Sequence, residues 1–148
     1  MRWPLSRDGN ELIFRVLFSS IFLGLGGEHL VDDRLIQHLM PAWVPTPRLL
    51  SVIAGLILLT GGSMVLVGYR IRTAAWILGV FLVVVTVSVH LPAVFLPCPP
   101  MEPESEWMWT VLQRSNLVKN MCLLGVCFLL GYHRLGAYSL DRWMARTT

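Results

Sequence analysis

Four stretches of this chain, Leu12 to Val31, Leu49 to Gly68, Thr73 to Leu96 and Asn116 to Tyr132, are almost unbroken hydrocarbon. A helix that crosses a bilayer needs about 20 mostly apolar residues, and each of these runs meets or approaches that length. Together they occupy more than half of the 148 residues and leave no room for a separate soluble domain. Composition points the same way. The chain is 55% hydrophobic and only 14% charged, with a mean hydropathy of +0.62, whereas a soluble domain usually carries about a quarter charged residues. The expected fold is all-α: a polytopic membrane protein with one membrane domain over residues 1–148, built as an up-and-down bundle of four transmembrane helices.

The opening MRWPLSRDGNELIFR has the basic-then-apolar order of a signal sequence. Its apolar stretch is too long for an h-region and ends in GGEHLVDD, which is no small-residue cleavage site, so it reads as an uncleaved first span. Basic residues then set the orientation. Arg2, Arg7, Arg70, Arg72, Arg134, Arg142 and Arg146 fall on one side, against Arg34, Arg48 and Arg114 on the other. That bias places both termini in the cytoplasm and the two longer loops outside. The net charge of +3 and pI near 9.1 describe this inner-face excess. No basic stripe with interleaved aromatics is present, so nucleic acid is not an expected partner.

The loops carry their own signals. In VDDRLIQHLMPAWVPTPR, Leu35, Ile36, Leu39, Met40 and Trp43 fall near a helical period. This predicts a short interfacial helix in the first outer loop, with Trp43 as an aromatic anchor. Pro41, Pro45 and Pro47 then turn the chain into the second span. PCPPMEPESEWMWTVLQR reads as a rigid acidic loop, returning to the membrane at Trp107 and Trp109. Small residues recur four apart or adjacent in the first two spans: Ser20 and Gly24, Ser51 and Gly55, Gly61 and Gly62. Such stripes let helix backbones approach closely where lipid removes the hydrophobic drive, so these six are the expected helix-packing positions. Cys122 and Cys127 point in different directions on one helix, Cys98 lies alone in the outer loop, and no metal-type CxxC occurs.

Ionisable residues within spans are expensive and usually face the bundle interior or one another. By depth, Glu28, His29, His90, Lys119 and Asn120 converge on the outer third of the bundle, with Arg48 placed to cap the group. Four roles stay open. The cluster can glue the helices together. It can hold a quinone or quinol head group, since an imidazole titrates near pH 6.5 and Glu28 can relay protons. His29 and His90 can ligate a metal or haem, although a closed metal site wants about four ligands and no haem motif is present, so no metal site is assigned. Coupled proton or ion transport is the fourth. Pro92 lacks the N–H owed to the Ser88 carbonyl, so a kink or break is expected beside His90, with Thr86 and Ser88 helping to satisfy the backbone. Arg15, near the inner boundary, is expected to reach the headgroups by snorkelling, with a buried ion pair as the alternative.

The stretch HLMPAWVPTPRLLSVIAGLILLTGGSMVLVGYRIRTAAW resembles the DoxX-like family of small bacterial membrane proteins. The likeness extends to the GLGGEH end of the first span, the RIRTAA inner turn, HLPAVF, and the LVKN start of the fourth span, so it runs from about Phe14 to Leu130. It implies a four-helix, multi-pass protein of the bacterial inner membrane. The family takes its name from a subunit of a terminal quinol oxidase in thiosulfate-to-quinone electron transfer, and other members are associated with thiol and oxidative-stress systems. The matching positions are Arg15, His29, Arg48, His90, Lys119 and Asn120. Relatives often carry a Glu shortly before the second-span glycine pair, where this chain has Leu58. The resemblance implies a small subunit or accessory of a quinone- or thiol-linked redox complex, with other membrane subunits as partners. With no catalytic nucleophile, cofactor fingerprint or complete metal set in the sequence, a non-catalytic subunit is expected over a stand-alone enzyme. The contrasting expectation is a purely structural subunit of a larger complex.

Overall fold

The computed structural model describes residues 6–32, 34–40, 44–96 and 102–147. Within them the chain forms α1 (Arg7–Val31), α2 (Arg34–Leu39), α3 (Pro47–Val67), α4 (Ile71–Val85), α5 (Leu91–Phe95), α6 (Pro103–Tyr132) and α7 (Leu140–Thr147). A π-helical turn, Thr86–His90, joins α4 to α5, so that Ile71–Phe95 runs as one helix. Four helices, Arg7–Val31, Pro47–Val67, Ile71–Phe95 and Pro103–Tyr132, are long and apolar enough to cross a membrane. The chain is an all-α, multi-pass membrane protein, with the short helix α2 in the first long loop. Arg2, Asp33, Pro41, Trp43 and Cys98 lie outside the described residues.

The helices pack in sequence, α1 on α3, α3 on α4 and α4 on α6. Their shared core is Phe18 and Phe22 from α1, Leu58 and Val65 from α3, Leu78 and Leu82 from α4, and Cys127 and Leu130 from α6. Along α1, at the four-residue helical spacing, Phe14 stacks on Phe18 and Phe18 meets Phe22 edge to face, with centroids 5.6 and 5.1 Å apart. The end where α1 and α4 begin and α3 and α6 finish is the basal end; the opposite one is distal.

The close approach of α1 and α3 is made by Gly26 and Gly55. A Cβ on Gly26 would lie 3.1 Å from the Gly55 carbonyl oxygen, and one on Gly55 would lie 3.0 Å from that of Gly26. Gly61 sits against Leu78 and Gly62 against Phe22. The expected pair Ser20 and Gly24 is not part of this face. Ser20 is exposed and donates its hydroxyl to the Leu17 carbonyl, while a methyl added at Gly24 would meet nothing within 4 Å. The reason is rotational. Residue 22 lies on the buried stripe of α1, and positions 20 and 24, two residues to either side, fall about 160° around the helix from it.

Two further expectations change. The second long loop is shorter than the sequence suggests, because α6 begins at Pro103, not at Asn116. Glu102 stands at the N-cap position without a side-chain capping bond, Pro103 opens the first turn, and Glu104 and Glu106 lie in that turn, where a proline needs no N–H and acids complement the helix dipole. At 30 residues, α6 spans about 45 Å and overshoots an apolar layer of about 30 Å. Trp107 is exposed on its first turns and Trp109 is buried. Pro92, for its part, does not break the third span. The ladder slips by one residue, Leu91 N–H bonding to the Thr86 carbonyl, and the helix runs on to Phe95.

Candidate functional site

The distal polar residues are positioned by the four long helices. On α1 and α3, the Ser51 hydroxyl donates to the His29 carbonyl at 3.3 Å and lies 3.0 Å from Nδ1 of the same residue. Ser51 is fully buried, so the histidine is held at its inner edge by the neighbouring helix. Gly55, one turn along α3, leaves the room His29 needs, since a Cβ there would come 2.9 Å from that of His29.

On the other side, His90 Nδ1 lies 2.7 Å from the side-chain oxygen of Gln113. An amide oxygen only accepts, so Nδ1 carries the proton and donates. Nε2 is then the lone-pair nitrogen, and it has no partner among the described residues. Gln113 is itself fully buried. Four residues before His90, Thr86 Oγ1 accepts from Asn120 Nδ2 at 3.2 Å. Thr86 and His90 bound the π-helical turn. The wide turn thus presents two polar side chains to α6 at the place where Pro92 disturbs the ladder, and π turns recur at functional sites.

Lys119 connects the two halves. It is half-buried, its Nζ donates to Asn116 Oδ1 at 2.8 Å, and its charge is within electrostatic range of both His90 and Glu28. Glu28 is itself exposed at the end of α1, and forms no ion pair within 4 Å among the described residues. Arg48 is exposed at the start of α3 and points no hydrogen bond at the group. The structure thus brings together His90, Lys119 and Asn120, with His29 on the α1–α3 seam and Glu28 within reach of Lys119's charge, and leaves Arg48 at the rim.

The reading by depth does not reach Gln113, and it takes Ser51 only as a packing position. A signal for Gln113 exists. Gln113, Asn120 and Cys127 recur every seven residues, about two turns, and all three are buried on one face of α6. A polar residue in line with a buried asparagine is placed to meet the same neighbour. No group of three or more His, Cys, Asp or Glu comes together among the described residues.

Arg15 corrects the snorkelling expectation. It is completely buried. Its Nε lies 2.8 Å from Glu11 Oε1, Nη1 donates to the Leu66 carbonyl at 2.9 Å, and Nη2 donates to the Tyr138 carbonyl. The guanidinium turns inward because the C-terminal segment folds back over the basal end and supplies an acceptor there. Gly68, at φ +68°, makes the space: a Cβ would fall 2.5 Å from Arg15 Nη1.

Among known protein families, the one described as DoxX matches residues 11–91, more than half of the chain. The match takes in Arg15, His29, Ser51 and His90, and stops short of Gln113, Lys119 and Asn120. No curated protein and no solved structure matches the chain.

Proposed function

The chain belongs to the DoxX family, and from that premise we propose that it serves as a small accessory subunit of a quinone- or thiol-linked redox complex, holding a quinone or quinol head group at its distal polar group. We place it, as a single membrane domain, in the bacterial inner membrane with both termini cytoplasmic, on the arginine bias of its connections. The observation that carries the reading is His90. Its Nδ1 is committed to a buried amide oxygen, while Nε2 has no partner among the described residues. A neutral imidazole fixed in that way accepts a hydrogen bond from a quinol hydroxyl, and once protonated it donates to a quinone carbonyl. Lys119 adds a cation nearby, and Glu28 lies towards the surface as a route for the proton. The chain's role is then to bind the head group and exchange its protons, with electrons passing to or from a partner subunit.

A quinone analogue titrated into the purified protein tests this. It is expected to raise the melting temperature of the parent and not of His90→Ala. An unchanged melting temperature for the parent, together with intact partner activity in the variant, sinks the proposal. One observation favours a second reading, that of a structural subunit with no redox site: His29, His90 and Asn120 each already commit a hydrogen bond to a neighbouring helix, as glue would. Migration alone after mild solubilisation sinks this second reading, since a structural subunit must bring its complex with it.

A further inference from the structure

At the basal end, well away from the distal group, α1, the end of α6 and the residues just beyond it line a half-open cavity of about 280 Å³. Its walls include Phe14, Leu129 and Leu130, and its polar lining includes Arg7, Glu11, His133 and Arg134. Four buried side-chain atoms at this end have no hydrogen-bond partner among the described residues: both carboxylate oxygens of Glu11, a residue only 7% exposed, Arg15 Nε and His133 Nε2. Glu11 Oε1 faces Arg15 Nε as an ion pair at 2.8 Å, so the carboxylate is already neutralised while Oε2 stays unused. Oε2 points to the Gly136 side of the cavity, where a Cβ on that glycine would lie 3.2 Å from it. Asp8, the other nearby acid, is occupied: its Oδ1 accepts from Ala137 N at 3.0 Å. An unpaired buried acceptor is costly, so an unfilled one facing a cavity calls for a donor.

We propose that this cavity is a binding site for one phospholipid whose headgroup carries a hydrogen-bond donor. The exposed guanidiniums of Arg7 and Arg134 take the phosphodiester, for which the planar fork is the suited partner. The hydroxyl or ammonium of a glycerol or ethanolamine headgroup donates to Glu11 Oε2. Phe14, Leu129 and Leu130 receive the start of an acyl chain. The site rests on the basal cavity alone and does not depend on the role of the distal group.

The test uses the full chain, delipidated in a neutral detergent and followed by native mass spectrometry and thermal unfolding. Phosphatidylglycerol, phosphatidylethanolamine, phosphatidylcholine and inorganic phosphate are added separately. One molecule of either donor-bearing lipid is expected to remain bound and to raise the melting temperature. Phosphatidylcholine, which offers no donor, is expected to bind about tenfold more weakly, the effect of one lost hydrogen bond to a charged group. Arg7→Gln with Arg134→Gln is expected to weaken retention about tenfold or more, and both positions are exposed, so folding is not at stake. Equal retention of phosphatidylcholine, or full retention by the double variant, overturns the proposal. A response to inorganic phosphate as large as to lipid makes the site one for a soluble phosphate, and the lipid proposal falls.

Discussion

The two ends of the bundle solve the problem of polar groups at membrane depth differently. At the basal end a whole ion pair is buried: Arg15, with Glu11 one turn before it, reaches carbonyls of α3 and of the segment leading into α7. Asp141 completes the closure, its carboxylate accepting from the Arg70 N–H at 2.8 Å and its own N–H donating to the Gly68 carbonyl. At the distal end the helices are joined by neutral amides, hydroxyls and imidazoles, and the charged groups Glu28, Lys119 and Arg48 stand partly or fully open. A buried charge with several fixed acceptors holds one geometry strongly. Neutral pairs hold less strongly and leave atoms, such as His90 Nε2, able to exchange a partner. The basal end is built to stay, and the distal end is free to respond.

The widest test of that contrast is Arg15→Met. It strands Glu11 and two backbone carbonyls, and removing one member of a buried pair costs about 3–5 kcal/mol. Denaturant or thermal unfolding in mild detergent should show the loss. Glu11→Leu combined with Arg15→Met should recover part of it, because replacing a buried pair by apolar residues is often neutral. If Arg15→Met melts with the parent, the basal closure does not depend on this guanidinium.

Second in size is Gly55→Ala. The added methyl would meet the Gly26 carbonyl oxygen at 3.0 Å and the His29 Cβ at 2.9 Å, and overpacking of this kind costs about 1–3 kcal/mol. It should also disturb the His29–Ser51 bond. Gly24→Ala, with nothing nearby, should be neutral or stabilising by less than about 1 kcal/mol. Equal behaviour of the two alanines in a melting experiment would remove the special standing of the α1–α3 crossing.

Gln113→Leu comes third. It deletes the acceptor that fixes His90, and interhelical hydrogen bonds in membranes are worth about 0.6–2 kcal/mol. The ring then loses its preferred tautomer, so any quinone analogue that stabilises the parent should stabilise this variant less. A variant that loses stability without losing that response would assign Gln113 to packing alone.

These expectations differ in how far the sequence leads to them. The spans are legible because a run of about 20 apolar residues has few alternatives in water or lipid, and their ends fall within a few residues of the helices for the first three. The early start of α6 is legible in principle, since Glu102, Pro103, Glu104 and Glu106 form a helix-start pattern; the prolines beside them speak louder for a loop. The Glu11–Arg15 spacing, acid four residues before base, is also a helix-pair signal. What turns the pair inward, a carbonyl at Tyr138, is 123 residues distant from Arg15 and invisible to any local pattern. The distal residues are found by depth alone, and depth does not give rotation about the helix axis. That is why His90 and Asn120 come with partners unforeseen, and why Arg48, at a suitable depth, lies on the rim.

The smallest effect sharpens the comparison most. Ser51→Ala removes one hydroxyl from a buried position and leaves His29 without its Oγ neighbour. The expected loss is about 0.6 kcal/mol, the average for a hydrogen bond between membrane helices, because an unfolded chain in the membrane also finds partners. Alanine fits the site without a clash and is a good helix former, which offsets part of even that. Measured beside Arg15→Met under identical conditions, it sets the scale for a neutral distal pair against a charged basal one. A loss above about 2 kcal/mol would exceed what such a bond supplies, and would mean that His29 is held charged and that the distal end, too, is built on a buried ion. A loss near zero would leave His29 oriented by the α1–α3 packing, with Gly55 and not Ser51 as its true support.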